Sequence, residues 1–240
     1  MSTEREREIL KLLLSKKKAT VKEISEMLYT SQSSVRRDLA KLEGQQLIKR
    51  VHGGAVIEEN STSSVKIPFA LREMEQSDAK TEIAKQAAEL IKDDDILFLD
   101  ASSSACALVP FIAVKKRITV ITSGLQTMQK LGEYGVKVIS TGGELIPSCR
   151  SLVGECAYKT IGAFNADAVF FSCRGISADG YITDISEAEN NVRRRMIARS
   201  DRSYLLCADK KVGKKFFHNL CTTKDITGVI SNAPLPEFDF

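Results

Sequence analysis

At 240 residues, 43% hydrophobic and 28% charged, the chain has room for one large domain or for a small domain joined to a medium one. Its apolar runs fall short of the ~20 residues a membrane span needs, and MSTEREREIL is too charged for the apolar stretch of a secretory signal. The net charge of +4 is uneven: residues 1–57 hold 12 Lys and Arg against 7 Asp and Glu, whereas residues 58–240 hold 23 against 24.

A basic N-terminal quarter points to a polyanionic partner at that end alone. The six cysteines, Cys106, Cys149, Cys156, Cys173, Cys207 and Cys221, form no C-x-x-C and no metal-type pairing. Several lie in apolar runs, so they read as buried, reduced thiols of a cytoplasmic protein with no metal and no cofactor.

Three short helices are predicted first. EREREILKLLLSKK places Ile9, Leu10, Leu13 and Leu14 on one face. In ATVKEISEMLYTS, Thr20 and Glu23 are spaced as a capping box, and Val21, Ile24, Met27 and Leu28 supply the buried stripe. SQSSVRRDLAKLEGQ turns Val35, Leu39 and Leu42 inward, which directs Ser33, Arg37 and Lys41 outward with Ser34 and Arg36 beside them. Guanidinium groups and small hydroxyls on an outer face suit guanine edges and phosphates. With a turn at Tyr29-Thr30, the second and third helices form a helix-turn-helix. LIKRVHGGAVIEE then reads as two strands around a Gly-Gly turn, a wing whose Arg50 and His52 face a phosphate backbone.

The run VRRDLAKLEGQQLIKRVHGGA resembles the N-terminal signature of the DeoR family of bacterial transcriptional regulators, at Arg36, Arg37, Asp38, Leu39, Arg50, His52, Gly53, Gly54 and Ala55. That resemblance implies a DNA-binding winged helix-turn-helix over residues 1–57.

NSTSSVKIPFALREMEQSD is polar and Ser-rich, and residues 58–78 read as a linker. Residues 79–240 follow as an α/β domain. AKTEIAKQAAELI is helical, with Ile83, Ala84, Ala87, Leu90 and Ile91 apolar. DILFLD, RITVIT, VKVIST, DAVFFS, YLLCA and TGVIS are short, almost wholly apolar runs, the mark of strands buried on both faces. With helical stretches between them they predict a mostly parallel open sheet, whose ligands bind beyond the carboxyl ends of the strands.

Polar and small residues gather at those ends. They are Asp100, Ser102, Ser103 and Ser104; Ser123 and Gly124; Gly142, Gly143 and Glu144; Ser172 and Arg174; and Asp209 with Lys211. Glycines and hydroxyls let backbone amides converge on an anion. Pro110 limits the helix expected near Ser103. An enzymatic alternative makes Asp100, Glu144, Asp184, Glu187 or Asp209 a base and Arg150, Arg174 or Lys211 a cation, but no pair stands at a telling spacing. A nucleophilic serine needs a base, and the only histidines are His52 and His218. Ser186 and Glu189 cap another helix, on which Arg193, Arg194 and Arg195 read as a solvated face or subunit contact.

This half also resembles the DeoR family, at Asp100 to Ser104, Ser123-Gly124, Gly142-Gly143, Gly154, Gly175, Gly180 and the Asp209–Lys214 segment. The family's effector domain is related in fold to ribose-5-phosphate isomerase and the coenzyme A transferases. The resemblance implies an effector site for a phosphorylated sugar-like metabolite, with Lys211 among its residues, and a regulator that is usually a repressor. Arg150 is read as a further effector-binding cation, and a homo-oligomer is expected because one winged helix reads too short a site. Ala101 and Ser102–Ser103 stand where Gly and Thr are usual, Ser123 where Asn is, and the Asp209–Lys211 segment is one residue short. PEFDF is an abrupt end, as if a longer or alternative C-terminus existed.

Overall fold

The computed structural model describes residues 4–45, 47–57 and 68–236. Most of the predicted linker, residues 58–67, and the last four residues of PEFDF lie outside them. The chain divides into two units, one formed by residues 1–62 with 70–75 and the other by residues 63–69 with 76–240.

In the first unit the order is α1 (Glu4–Lys16), β1 (Lys18–Thr20), α2 (Val21–Met27), α3 (Gln32–Gly44), β2 (Lys49–Val51) and β3 (Gly54–Val56). Ile9, Leu10, Leu13, Ile24, Val35, Leu39 and Leu42 are buried and form the core the periodicity demands, whereas Met27 is 41% exposed. Thr20 caps α2 with both bonds of the box in place: its hydroxyl accepts from the Glu23 amide, and the Glu23 carboxylate accepts from the Thr20 amide at 2.7 Å. Tyr29 turns the chain at φ 49°, and Ser31 caps α3 by accepting from the Ser34 amide at 3.2 Å. The wing strands β2 and β3 pair antiparallel around His52-Gly53, and β3 also pairs with β1. Gly54 permits this: a Cβ there would lie 2.2 Å from the Ala19 carbonyl oxygen.

Next come α4 (Phe69–Met74), which from Ala70 on belongs to the first unit, and α5 (Ser77–Glu89), which belongs to the second, so the stretch read as a connector carries a short helix and the first residues of a longer one. The second unit continues with β4 (Ile96–Leu99), α6 (Ser103–Ala107), α7 (Val109–Ile112), β5 (Thr119–Thr122), α8 (Leu125–Glu133), β6 (Lys137–Ser140), β7 (Glu144–Ile146), β8 (Ser151–Val153) and α9 (Glu155–Gly162). It ends with β9 (Ala166–Phe171), β10 (Gly175–Ile176), β11 (Tyr181–Asp184), α10 (Glu187–Ala198), β12 (Ser200–Leu206), β13 (His218–Thr222) and β14 (Gly228–Ile230). The helix expected near Ser103 is interrupted at Leu108 because Pro110 enters the first turn of α7.

All six predicted runs enter one sheet, ordered β14-β12-β9-β4-β5-β6, and every neighbouring pair is parallel. Alternate residues feed two cores. Leu97, Leu99, Val120 and Phe170 pack with Ile83, Leu108 and Leu131 on one face; Phe98, Ile121, Val169 and Phe171 pack with Ile161, Val192 and Met196 on the other. Two antiparallel additions went unforeseen, the β7-β8 hairpin and the β10-β11-β13 sheet. Among the described residues no helix is long and apolar enough to cross a membrane.

Candidate nucleic-acid interface and strand-end site

On α3, Ser33, Arg36 and Arg37 are exposed and Ser34 is half-buried. The two guanidinium groups lean on their own helix: Arg36 donates to Gln32 Oε1 at 3.2 Å and Arg37 to Ser34 Oγ at 3.3 Å. Such contacts across one helical turn are weak and readily exchanged for a phosphate or a base edge. Lys41, predicted to share that outward face, is differently engaged. Its ammonium donates to Glu6 Oε1 of α1 at 2.7 Å, and the Glu6 side chain is only 2% exposed.

Asp38, third residue of the R-R-D-L run, points inward. It is 7% exposed and receives Arg5 Nη2 at 3.0 Å and Arg5 Nε at 2.5 Å, a two-pronged clamp that ties α3 to α1. Glu43 ties α3 to the wing by accepting from the Arg50 amide at 2.9 Å, with the Arg50 guanidinium 3.9 Å away. His52 is exposed at the wing tip. The motif thus divides its labour: Arg36 and Arg37 stay available to a partner, while Asp38 and Glu43 hold the surface in shape.

In the second unit the strand order locates the crevice. From β4 the chain runs outward through β5 and β6, then returns to lay β9 on the other side of β4 before continuing through β12 to β14. The switch point lies between β4 and β9, where crossover connections diverge and leave a cleft beyond the strand ends. Asp100 ends β4 there. It is 1% exposed; its Oδ1 accepts from the Ser102 amide at 3.1 Å, and its Oδ2 from the Ser172 amide at 3.3 Å and from Arg193 Nε at 2.8 Å.

Arg193 corrects the sequence reading. It is 4% exposed, neither a solvated face nor a surface contact, and its Nη1 also reaches Asp184 Oδ2 at 2.8 Å and Asn190 Oδ1 at 3.1 Å. Burial works against its charge, but the facing carboxylates of Asp184 and Asp100 outweigh it and hold the guanidinium protonated well above its ordinary range. Arg194 and Arg195 differ from it; Arg195 is exposed and lies over the Tyr158 ring at 3.7 Å. A helical stripe of three arginines does not reveal which one faces inward. The signal available was Asp100 itself, a carboxylate ending an apolar strand and needing a buried cation.

Ser102, Ser103 and Ser104 are all buried, and Ser102 caps α6 by accepting from the Ala105 amide at 3.1 Å. The loop after β5 presses against the start of this loop, at Asp100 and Ala101. A Cβ on Gly124 would stand 3.0 Å from the Ala101 Cα, so the absent side chain lets the two loops meet. Ser123 is 1% exposed and its carbonyl accepts from the Leu152 amide at 2.8 Å. From the β12 end, Lys211 Nζ donates to Ser172 Oγ at 2.9 Å, and that hydroxyl donates to the Leu206 carbonyl at 2.6 Å. Thr127 Oγ1 and Asn190 Nδ2 are buried with no hydrogen-bond partner among the described residues.

The remaining predicted residues sit farther out. Gly142 and Gly143 adopt φ of 63° and 113°, and Gly143 packs so closely on β8 that a Cβ would meet the Val153 carbonyl oxygen at 2.3 Å. Glu144 is exposed in β7; Arg150 is exposed too, and its guanidinium donates to Gln126 of α8. Asp100, Ser102, Ser172 and Lys211 are therefore linked through hydrogen bonds and Gly124 packs on the same loop, with Ser103, Ser104 and Ser123 buried in the adjoining loops, while Glu144 and Arg150 border the hairpin. Asp184, Asn190, Arg193 and Thr127 join the site without having been predicted to bind there. Among the described residues no group of three His, Cys, Asp or Glu side chains is placed to hold a metal.

Comparison with known proteins places both units. The model of the DeoR-like helix-turn-helix domain matches residues 5–61, and that of the DeoR C terminal sensor domain matches residues 75–233. The HTH-type transcriptional regulator GolR of Listeria innocua is 35% identical, over 95% of this chain and 90% of its own. The glycerol-3-phosphate regulon repressor of Escherichia coli is 28% identical, over 98% and 92%. Among solved structures, eIF2B delta from Chaetomium thermophilum aligns with a TM-score of 0.52 at 19% identity, covering 67% of this chain and 57% of that one. Ribose 5-phosphate isomerase A from Methanocaldococcus jannaschii aligns with a TM-score of 0.44 at 12% identity, covering 57% and 54%. Likeness at such identities speaks of fold alone, but the two domain matches and the full-length relatives agree with the basic winged helix and the strand-end cleft: the chain belongs to the DeoR family of DNA-binding transcriptional regulators.

Proposed function

We propose that this regulator is a cytoplasmic repressor of genes for carbohydrate use. Its α3 enters the major groove of double-stranded operator DNA with Ser33, Ser34, Arg36 and Arg37, and Lys41, Arg50 and His52 follow the flanking phosphates. A small phosphorylated sugar-like effector binds at the β4–β9 switch point. Ser102, Ser103, Ser104, Ser123 and Gly124 surround its phosphate, and Lys211 supplies the cation. Gly142, Gly143, Glu144 and Arg150 form the outer rim.

The observation that carries the effector reading is the cluster at the switch point. Three loops and Lys211 converge on one buried polar locus, and two buried side-chain atoms beside it, Thr127 Oγ1 and Asn190 Nδ2, have no hydrogen-bond partner among the described residues. Buried polar groups are ordinarily satisfied, so these two suit ligand hydroxyls. The name of the glycerol-3-phosphate regulon repressor supports a phosphorylated carbohydrate class. In this reading the ligand is sensed without being transformed, and the Asp100 carboxylate, which accepts two amides and a guanidinium, orients the loop rather than removing a proton.

A thermal-shift screen of the full chain against phosphorylated sugars and polyols tests this. One class should raise the melting temperature in a concentration-dependent way and change operator affinity. Replacing Ser102, Ser103 and Ser104 together with alanine should remove that response and leave operator binding intact. A variant that loses both has lost a structural loop, and turnover of the hit compound revives an enzymatic role.

A further inference from the structure

Two of the six cysteines lie side by side at the carboxyl edge of the sheet, where neither DNA reading nor the effector cluster uses them. Cys173 follows β9 and Cys207 follows β12, neighbouring parallel strands in which Phe171 stands opposite Leu205. Cys173 and Cys207 each lie two residues beyond that pair, just past the ends of the two strands. Both side chains enter the same apolar core, at 5% and 0% exposure, and the Cys207 thiol donates to the Ala208 carbonyl at 3.6 Å. Neighbouring strands are ~4.8 Å apart, inside the ~4.4–6.8 Å Cα separation that a disulfide spans. The hydrogen bond from Ser172 to the Leu206 carbonyl holds the strand ends together one residue earlier.

We infer that Cys173 and Cys207 form a dithiol site that a hydroperoxide converts to an intramolecular disulfide. The neighbouring Cys173 thiol and Lys211 ammonium pull the Cys207 thiol below its ordinary range against the effect of burial, whereas the neighbouring Cys207 thiol and burial push Cys173 up. Cys207 is therefore the attacking thiolate. Its sulfur takes the distal oxygen of the peroxide, the O–O bond breaks, and the departing alkoxide or hydroxide collects the thiol proton, leaving a sulfenic acid. The Cys173 sulfur then attacks that sulfur, the S–O bond breaks, and water leaves with the second thiol proton. Two thiols are oxidised by two electrons, and one hydrogen peroxide is reduced to two waters. The new bond ties β9 to β12 one residue beyond Ser172, whose hydroxyl receives Lys211.

The remaining cysteines are differently placed. Cys156 is exposed, and Cys221 is half-buried with its thiol pushed up to about 12 by burial. Cys156 thus sets a background that the experiment separates. The full-length reduced protein is treated with hydrogen peroxide, alkylated and digested without reductant. The expected product is a linked peptide pair containing Cys173 and Cys207, lighter than the reduced pair by two hydrogen atoms and restored by dithiothreitol. Cys173→Ala should halt the reaction at a Cys207 sulfenic acid that dimedone labels, and Cys207→Ala should leave Cys173 unmodified. Complete alkylation of both thiols after denaturation, with oxidation confined to Cys156, overturns the proposal. So does a linked pair joining either thiol to another cysteine.

Discussion

Arg37 and Arg193 show how little residue type says about role. Both are arginines on helices in basic stretches; one is exposed on α3, while the other is buried between two carboxylates. Arg37→Ala should weaken operator binding by about 1–3 kcal/mol, the upper end if it meets a guanine edge and the lower if it meets a phosphate. Fluorescence anisotropy with labelled operator measures this, and unchanged affinity removes Arg37 from the interface. Arg193→Met leaves the Asp100 and Asp184 carboxylates buried without their cation and should cost about 3–5 kcal/mol of stability in a chemical denaturation series. A loss below 1 kcal/mol means that water reaches both carboxylates and that the ion network is not what holds the strand-end loop to α10.

The wing is an element whose packing depends on one absent side chain. β3 sits between β1 and β2, and Gly54 meets the Ala19 carbonyl. Gly54→Ala should push β3 from β1, raise amide exchange in Gly54–Val56, and weaken operator binding while leaving the second unit's ligand-induced thermal shift unchanged. Normal exchange in β3 refutes the steric argument. At this scale much was legible. The capping box at Thr20 and Glu23, the Tyr29 turn and the six apolar strands follow from local chemistry, since caps and two-faced burial depend on residues close in sequence. The β7-β8 hairpin and the β10-β11-β13 sheet were not legible: their strands are two to five residues long, and several face solvent on one side.

For the molecule as a whole, operator binding and effector binding must be linked reciprocally if one controls the other. Saturating operator DNA should therefore shift the affinity for a hit compound by the same factor as the compound shifts operator affinity. Isothermal titration in both orders checks this, and a factor of one, with neither ligand changing the other's affinity, breaks the proposed linkage. Sedimentation of the full chain is expected to give a homo-oligomer, because a single winged helix reads too short a site for useful specificity. A monomer at working concentration, still binding one operator tightly, rejects that expectation. The sequence by itself determined a basic helix-turn-helix, a parallel α/β sheet and a row of polar strand ends, because each depends on local periodicity, caps and composition. Only the tertiary structure decided which ends converge. Asp100 meets Arg193 across 93 positions, Ser172 meets Lys211 across 39, and Asp38 meets Arg5 across 33. Strand order brings such partners together, and strand order is settled by how the whole chain buries its two apolar faces.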